Sequence, residues 1–172
     1  RDSLPFVYRN ERGKVVGLEA DMAHLLAGEL GVGLQFVRLQ NDNIGRELAS
    51  GRVDIMMSGL MITPERALEV HFTEPHLKST LSLVVADHDR SRFDTNEKLR
   101  ALSDLRIAAI NLPFYGRFAE RSLPGVKIVE IDSARRFFEA QPGEFDALLF
   151  SAEAGSAWTL IRSKPSILPP AG

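Results

Sequence analysis

Asp54-Ile55-Met56-Met57-Ser58-Gly59-Leu60-Met61-Ile62-Thr63-Pro64-Glu65-Arg66 is the stretch on which the fold turns. Asp54 to Met57 reads as a short buried strand, and Ser58-Gly59 as a small polar turn. Thr63 offers an N-cap, and Pro64 fits the first helical position, where its missing N–H costs nothing. Arg66 stands just inside that helix. A strand that ends in a glycine-containing loop and feeds a helix turns several backbone N–H groups toward one point. An arginine beside them adds a planar fork of donors suited to a carboxylate. The stretch therefore reads as a carboxylate receptor. A blander reading, an ordinary cap followed by a solvated arginine, fits these residues at least as well.

Outward from this stretch, helical and strand patterns alternate, which argues for an α/β fold with a largely parallel sheet. Leu18, Met22, Leu25, Leu26 and Leu30 fall at helical spacing, with Gly31 as the stop. Leu34 to Leu39 alternates like a strand, and Asn41-Asp42-Asn43 offers an N-cap for a short helix that Gly51 closes. Leu81 to Ala86 is a β-rich run, followed by a polar connector, Asp87-His88-Asp89-Arg90-Ser91-Arg92. The alternation then restarts. Helices are expected around Glu97–Leu102, Phe114–Leu123, Ala134–Glu139 and Ala152–Ile161, and strands over Arg106–Ile110, Lys127–Ile131 and Asp146–Phe150. Pro124-Gly125 and Pro142-Gly143 mark turns between them. Two βα units joined at residues 87–92 result.

Composition narrows the function classes. The 172 residues are 44% hydrophobic and 26% charged with a net charge of -2, so neither a nucleic-acid surface nor an acidic solvating tail is indicated. Lys and Arg are scattered rather than gathered in a stripe, which argues against DNA or RNA as partner. No apolar run approaches the ~20 residues that cross a bilayer. The chain has no cysteine, which excludes disulfides, thiolate catalysis and zinc–thiolate sites. No cofactor or metal-binding spacing is present.

Four segments in order carry a resemblance: Leu4-Pro5-Phe6, Gly17-Leu18-Glu19-Ala20-Asp21-Met22-Ala23, the stretch quoted first, and Val70-His71-Phe72-Thr73-Glu74-Pro75. Together they resemble the family 3 extracellular solute-binding proteins, the amino-acid receptors of bacterial import systems. The resemblance continues through Asp104-Leu105-Arg106-Ile107-Ala108 to Asp146-Ala147-Leu148-Leu149. It implies an α/β fold of the periplasmic binding protein-like II type, with two α/β lobes around a ligand cleft that close by a hinge motion. Lobe one is then expected over 1–86, the hinge connector over 87–92, lobe two over 93–165 and the start of a return crossing over 166–172. Lobe one is expected to be incomplete at both chain ends, as in a trimmed fragment, for which poor stability or self-association is compatible.

Residue by residue, the resemblance places the clamp for a ligand α-carboxylate on Arg66, with Ser58 and Gly59 at positions that face an α-ammonium. The family Ser/Thr that donates to the carboxylate falls on Met61, which offers only its backbone N–H. A charge-assisted hydrogen bond is worth about 1.5–3 kcal/mol, so the site is weakened or redirected rather than abolished. Asn41 and Ser3 replace ligand-side aromatics and suit a polar or small ligand, although Asn41 also reads as a loop cap. On lobe two, the glycine-rich helix start becomes Asn111-Leu112-Pro113-Phe114-Tyr115. There the backbone is less approachable, and Phe114 or Tyr115 could form a wall or simply pack. The acidic partner of the ammonium falls on Ser151, with Glu153 two residues on as its substitute. Without such a counter-charge, a plain carboxylate or dicarboxylate is the better ligand.

What the resemblance implies is a non-enzymatic binding domain. It sits in the periplasm or outside the cell, free or tethered to the inner membrane, and hands a small carboxylate-bearing solute, an amino acid first, to a membrane transporter. Leu4-Pro5-Phe6, Ala23-His24-Leu25-Leu26 and Ser156-Ala157-Trp158-Thr159-Leu160 are also similar to binding domains attached to dicarboxylate symporter-like membrane proteins. Two alternatives stay open: a sensory input domain of a membrane receptor, and a cyclohexadienyl dehydratase-like enzyme. Catalysis needs a positioned acid or base. Of His24, His71, His76 and His88, only His76 stands near a ligand-facing family position, where tyrosine is usual.

Overall fold

The computed structural model describes residues 3–39, 43–110, 115–116, 119, 123, 125–161 and 165–168, the side chains of Asn96 and of residues 165–168 excepted. Contacts divide the chain into two compact units, Arg1–Leu77 and Lys78–Gly172. This division falls before the β-rich run, whereas the lobe boundary expected from the resemblance falls after it, at 86/87. Leu81–Ala86 pairs on both sides within the sheet of the second unit, and that pairing decides its membership.

The first unit opens with a two-stranded antiparallel ladder, β1 (Tyr8–Arg9) and β2 (Val15–Val16), followed by α1 (Leu18–Leu30). No side chain caps α1. Its first N–H groups are met instead by backbone: Leu18 donates to the Pro5 carbonyl at 3.3 Å and Glu19 to the Phe6 carbonyl at 2.8 Å. Gly17 makes that approach feasible. It sits at φ 119°, and a Cβ there would lie 2.4 Å from the Phe6 oxygen. The buried face of α1 is Glu19, Ala20, Ala23 and Ala27, whereas Leu25 and Leu30 are 71% and 61% exposed. The leucine stripe read from the sequence is therefore the outer face, because the helix packs through its small residues.

Next come α2 (Ile44–Ala49) and α3 (Pro64–Ala67). Asn43 caps α2, its side chain accepting from the Arg46 N–H at 2.9 Å. The expected strands Leu34–Leu39 and Asp54–Met57 are not formed: among the described residues neither segment pairs with another. Leu34–Leu39 alternates and Asp54–Met57 is a short apolar run, but a strand exists only where a neighbour completes its ladder. Leu34, Phe36, Val37 and Ile55 are accordingly exposed.

The second unit is a five-stranded sheet in the order β5-β4-β6-β3-β7, built from β3 (Leu81–Ala86), β4 (Arg106–Ile110), β5 (Lys127–Ile131), β6 (Ala147–Ser151) and β7 (Pro165–Leu168). β4 runs parallel to both β5 and β6, with Ala108 opposite Val129 and Leu148. β3 runs antiparallel to β6 and β7, so the sheet is mixed rather than largely parallel. Both faces are covered. Leu83, Val85, Ile107, Ala109 and Leu149 point to one side, packed with Phe93, Leu99 and Leu105. Val84, Ala108 and Leu148 point to the other, against helices α5 (Ala134–Phe138) and α6 (Ala152–Ile161), where Phe138 stacks on Trp158 with ring centres 5.4 Å apart. The connector Asp87–Arg92 is a 3₁₀ helix rather than a free linker, and α4 (Asn96–Ala101) follows, capped by Thr95. The expected helix 114–123 lies mostly outside the described residues.

Candidate functional site

In the first unit the chain from Ser58 to Arg66 is held from three sides. Gly59 sits at φ 64°, and a Cβ there would meet the Phe6 ring at 2.5 Å. No other residue combines that backbone with that contact. Phe6 is itself buried. The Gly59 N–H donates to Glu19 Oε1 at 3.2 Å, and His76 Nε2 stands 3.1 Å from the same oxygen. Thr63 is buried and in extended backbone, and its Oγ1 accepts from the Arg66 N–H at 3.3 Å.

Arg66 is half-buried, and its Nη1 donates to the Met61 carbonyl at 2.9 Å. That bond folds the guanidinium back along its own loop and fixes the fork at one corner. Among the described residues this is the hydrogen bond its guanidinium makes. A guanidinium carries five N–H donors, so the fork retains the capacity for a bidentate carboxylate. Met61 takes part through its carbonyl, where the sequence had suggested its N–H. Ser58 is half-buried at the start of the same loop. Ser58, Gly59, Met61 and Arg66 are thus one local constellation.

Ser151 and Glu153 lie together in the second unit, where β6 runs directly into α6. Ser151 Oγ accepts from the Ala154 N–H at 3.2 Å and acts as a cap. Glu153 accepts from Ser79 Oγ at 2.5 Å and from the Thr80 N–H at 3.3 Å. Partial burial pushes its carboxyl upward, but hydrogen bonds from Ser79, from its own backbone, from Thr80 and from Ser151 outweigh this. The net result is a carboxyl held below its ordinary range. Glu153 is therefore a fixed, ionised group. Tyr115 is half-buried and packs against the cluster of Leu83, Val85 and Ile107. Asn41 and Asn111 lie outside the described residues.

Elsewhere in the second unit, a shallow groove of about 420 Å³ is lined by Arg106, Val129, Glu130, Asp132, Arg136 and Glu144, among others. It contains none of the residues above. Both of its arginines are already paired, Arg136 with Glu144 and Arg106 with Asp146. Among the described residues no group of acidic and histidine side chains could hold a metal ion.

Sequence reasoning missed Glu19 and weighed His76 only as a catalytic candidate. The one available signal for Glu19 was its place beside Gly17 in a recognisable segment. A buried carboxylate is costly unless it is hydrogen-bonded, and here both of its donors come from distant parts of the chain.

Residues 1–112 match the family described as bacterial extracellular solute-binding proteins, family 3. The chain is 32% identical over 154 residues to the cyclohexadienyl dehydratase of Pseudomonas aeruginosa, covering 88% of this chain and 56% of that protein. It is 25% identical over 164 residues to ABC transporter arginine-binding protein 1 of Escherichia coli, covering 95% of this chain and 64% of that one. The chain thus spans between half and two thirds of the length of these relatives. Among solved structures, the ancestral amino acid-binding protein AncCDT-1, a precursor of cyclohexadienyl dehydratase, superposes with a TM-score of 0.81 at 29% identity. That match covers 99% of this chain and 76% of the ancestral one.

Proposed function

This chain belongs to the bacterial extracellular solute-binding proteins of family 3, and from that premise we propose that it binds a small carboxylate-bearing solute, an amino acid first, for delivery to a membrane transporter. The observation that carries the proposal is Arg66, its guanidinium anchored on the Met61 carbonyl beside a glycine loop pinned by Phe6 and Glu19. Binding needs donors whose positions are settled before the ligand arrives, because ordering them later weakens affinity. Arg66 supplies the carboxylate fork, and Ser58, Gly59 and Met61 supply the adjoining loop. Glu153, ionised and fixed, is the group proposed to answer a ligand ammonium. Asn41, Asn111, Tyr115 and Ser151 are proposed at the ligand on sequence grounds alone.

The proposed location is the periplasm or the cell exterior, and among the described residues no helix is long and apolar enough to cross a membrane. Tethering to the inner membrane and self-association belong to the same proposal and would show as membrane-fraction recovery and as a larger mass in solution. No chemistry is proposed, although one relative is named a dehydratase.

Titration calorimetry with L-arginine, L-glutamine, L-histidine and a dicarboxylate tests the reading. Arg66→Ala is expected to abolish binding of whichever probes bind. Arg66→Lys should keep a weakened remnant, down by about tenfold to a hundredfold, because the bidentate fork is lost. Unchanged affinity in both variants would overturn the assignment. A cyclohexadienyl acid incubated with the protein is expected to remain intact, and its dehydration would replace the binding reading with an enzymatic one.

A further inference from the structure

We propose that Ser79 sets the preference of the site for amino acids over the same acids without an ammonium, as a positioning residue acting through Glu153. That role rests on the amino-acid reading, in which Glu153 answers the ligand ammonium. Ser79 stands two residues beyond Leu77, the last residue of the first unit, and belongs to the second. Its Oγ donates to Glu153 Oε2 at 2.5 Å, and the Thr80 N–H donates to Oε1 at 3.3 Å. Each carboxylate oxygen thus has a donor of its own, which settles both the reach of the side chain and the plane of its head group. The Ser79 bond is the shorter, at the length typical of an O–H given to an ionised carboxylate.

The donors are better fixed than the carboxylate they hold. The Ala152 N–H donates to the Thr80 carbonyl at 2.7 Å, and Leu81, the first residue of β3, lies opposite Ser151, the last of β6. Backbone pairing therefore ties residues 79–81 to the strand end from which α6 starts, and Ser79 meets Glu153 already in place. A glutamate side chain, by contrast, is among the richest in rotamers and loses that freedom only where something holds it. Partial burial works against the charge of Glu153, and the Ser79 hydroxyl is foremost among the donors that favour it. Ordering such a side chain at the moment of binding weakens affinity. With Ser79 in place the carboxylate is ordered before the ligand arrives, and only a ligand that carries an ammonium benefits. A plain carboxylate is clamped by Arg66 under the same reading and has no group for Glu153 to meet.

Calorimetry on the full chain tests this with L-glutamine against glutaramate and L-histidine against imidazolepropionate, each pair differing only in the ammonium. Ser79→Ala is expected to weaken the amino acids by about threefold to tenfold and to leave the deaminated acids unchanged. Ser79→Thr, which keeps the hydroxyl, should retain the affinity of the parent. In a Glu153→Gln background, Ser79→Ala should weaken neither kind of ligand further. A ¹³C titration of the Glu153 carboxyl needs no ligand: without the Ser79 donor its pKa is expected to rise toward the ordinary glutamate range. Equal weakening of both members of a pair would make Ser79 a structural residue and overturn the proposal. An unmoved Glu153 carboxyl, or a loss in Ser79→Thr equal to that in Ser79→Ala, would do the same. So would an effect that persists in Glu153→Gln, since Ser79 would then act without the carboxylate, and so would binding of the deaminated acids alone. In each of these cases the carboxylate-receptor reading, which rests on Arg66, stands. If no probe binds the parent, the receptor reading falls and the role of Ser79 falls with it.

Discussion

Glu153 shows at the scale of one residue how environment converts a surface acid into a fixed charge. Ser79 and Thr80, at the approach to β3, hand it an O–H and an N–H, and these outweigh the opposing effect of partial burial. A carboxyl whose pKa is depressed in the folded state stabilises the fold above its unfolded value and loses that contribution as pH falls through the folded one. Solvent screening discounts the contribution of so exposed a group, so Glu153→Gln is expected to lower stability by no more than about 0.5 kcal/mol near neutral pH. The difference from the parent should shrink below about pH 4, where an unfolded-state glutamate is itself protonated. Urea unfolding at pH 7 and pH 3.5 checks the sign, and a difference that grows on acidification would contradict it. It was the family resemblance that pointed to Glu153, two residues beyond Ser151, where that resemblance places the acidic partner of a ligand ammonium. The sequence could not point to Glu19 and His76 as a pair, since residues 57 positions apart meet only through the tertiary fold.

At the scale of elements, what was legible depended on whether an element completes itself. Arg106–Ile110 and Lys127–Ile131 appear with the boundaries expected, since each is an apolar run between turn signals and each finds a parallel neighbour. Leu34–Leu39 alternates and Asp54–Met57 is a short apolar run, but among the described residues neither gains a ladder. Helix α1 was legible as a helix and misread in orientation. Five large apolar residues outvote three alanines in any periodicity count, yet the alanines and Glu19 face inward. The consequence can be measured by urea unfolding of point variants. Leu25→Gln is expected to change stability by no more than about 0.5 kcal/mol, as for an exposed site. Ala20→Leu should cost about 1–3 kcal/mol, because it forces extra methylenes into a packed contact. The reverse ranking would place the leucines in the core after all.

At the scale of the whole molecule, the two units differ in what protects their backbones. In the second unit β4 is bonded on both sides by β5 and β6, β3 by β6 and β7, and both faces of the sheet carry buried apolar clusters. In the first unit the only ladder among the described residues is two residues long, and its helices of thirteen, six and four residues leave much of their apolar surface in solvent. Amide exchange is governed by the free energy of local opening, which tracks buried contacts rather than the presence of helix or strand. Hydrogen-exchange mass spectrometry is therefore expected to find the slowest amides at Ile107–Ala109, Leu148–Leu149 and Val84. Those of α1 and of residues 32–39 should exchange about a hundredfold faster or more. A carboxylate ligand that binds the folded form stabilises it, and if Arg66 is its clamp the protection must concentrate on 58–66. Uniform slowing across the second unit, with 58–66 unchanged, would move the binding site away from Arg66.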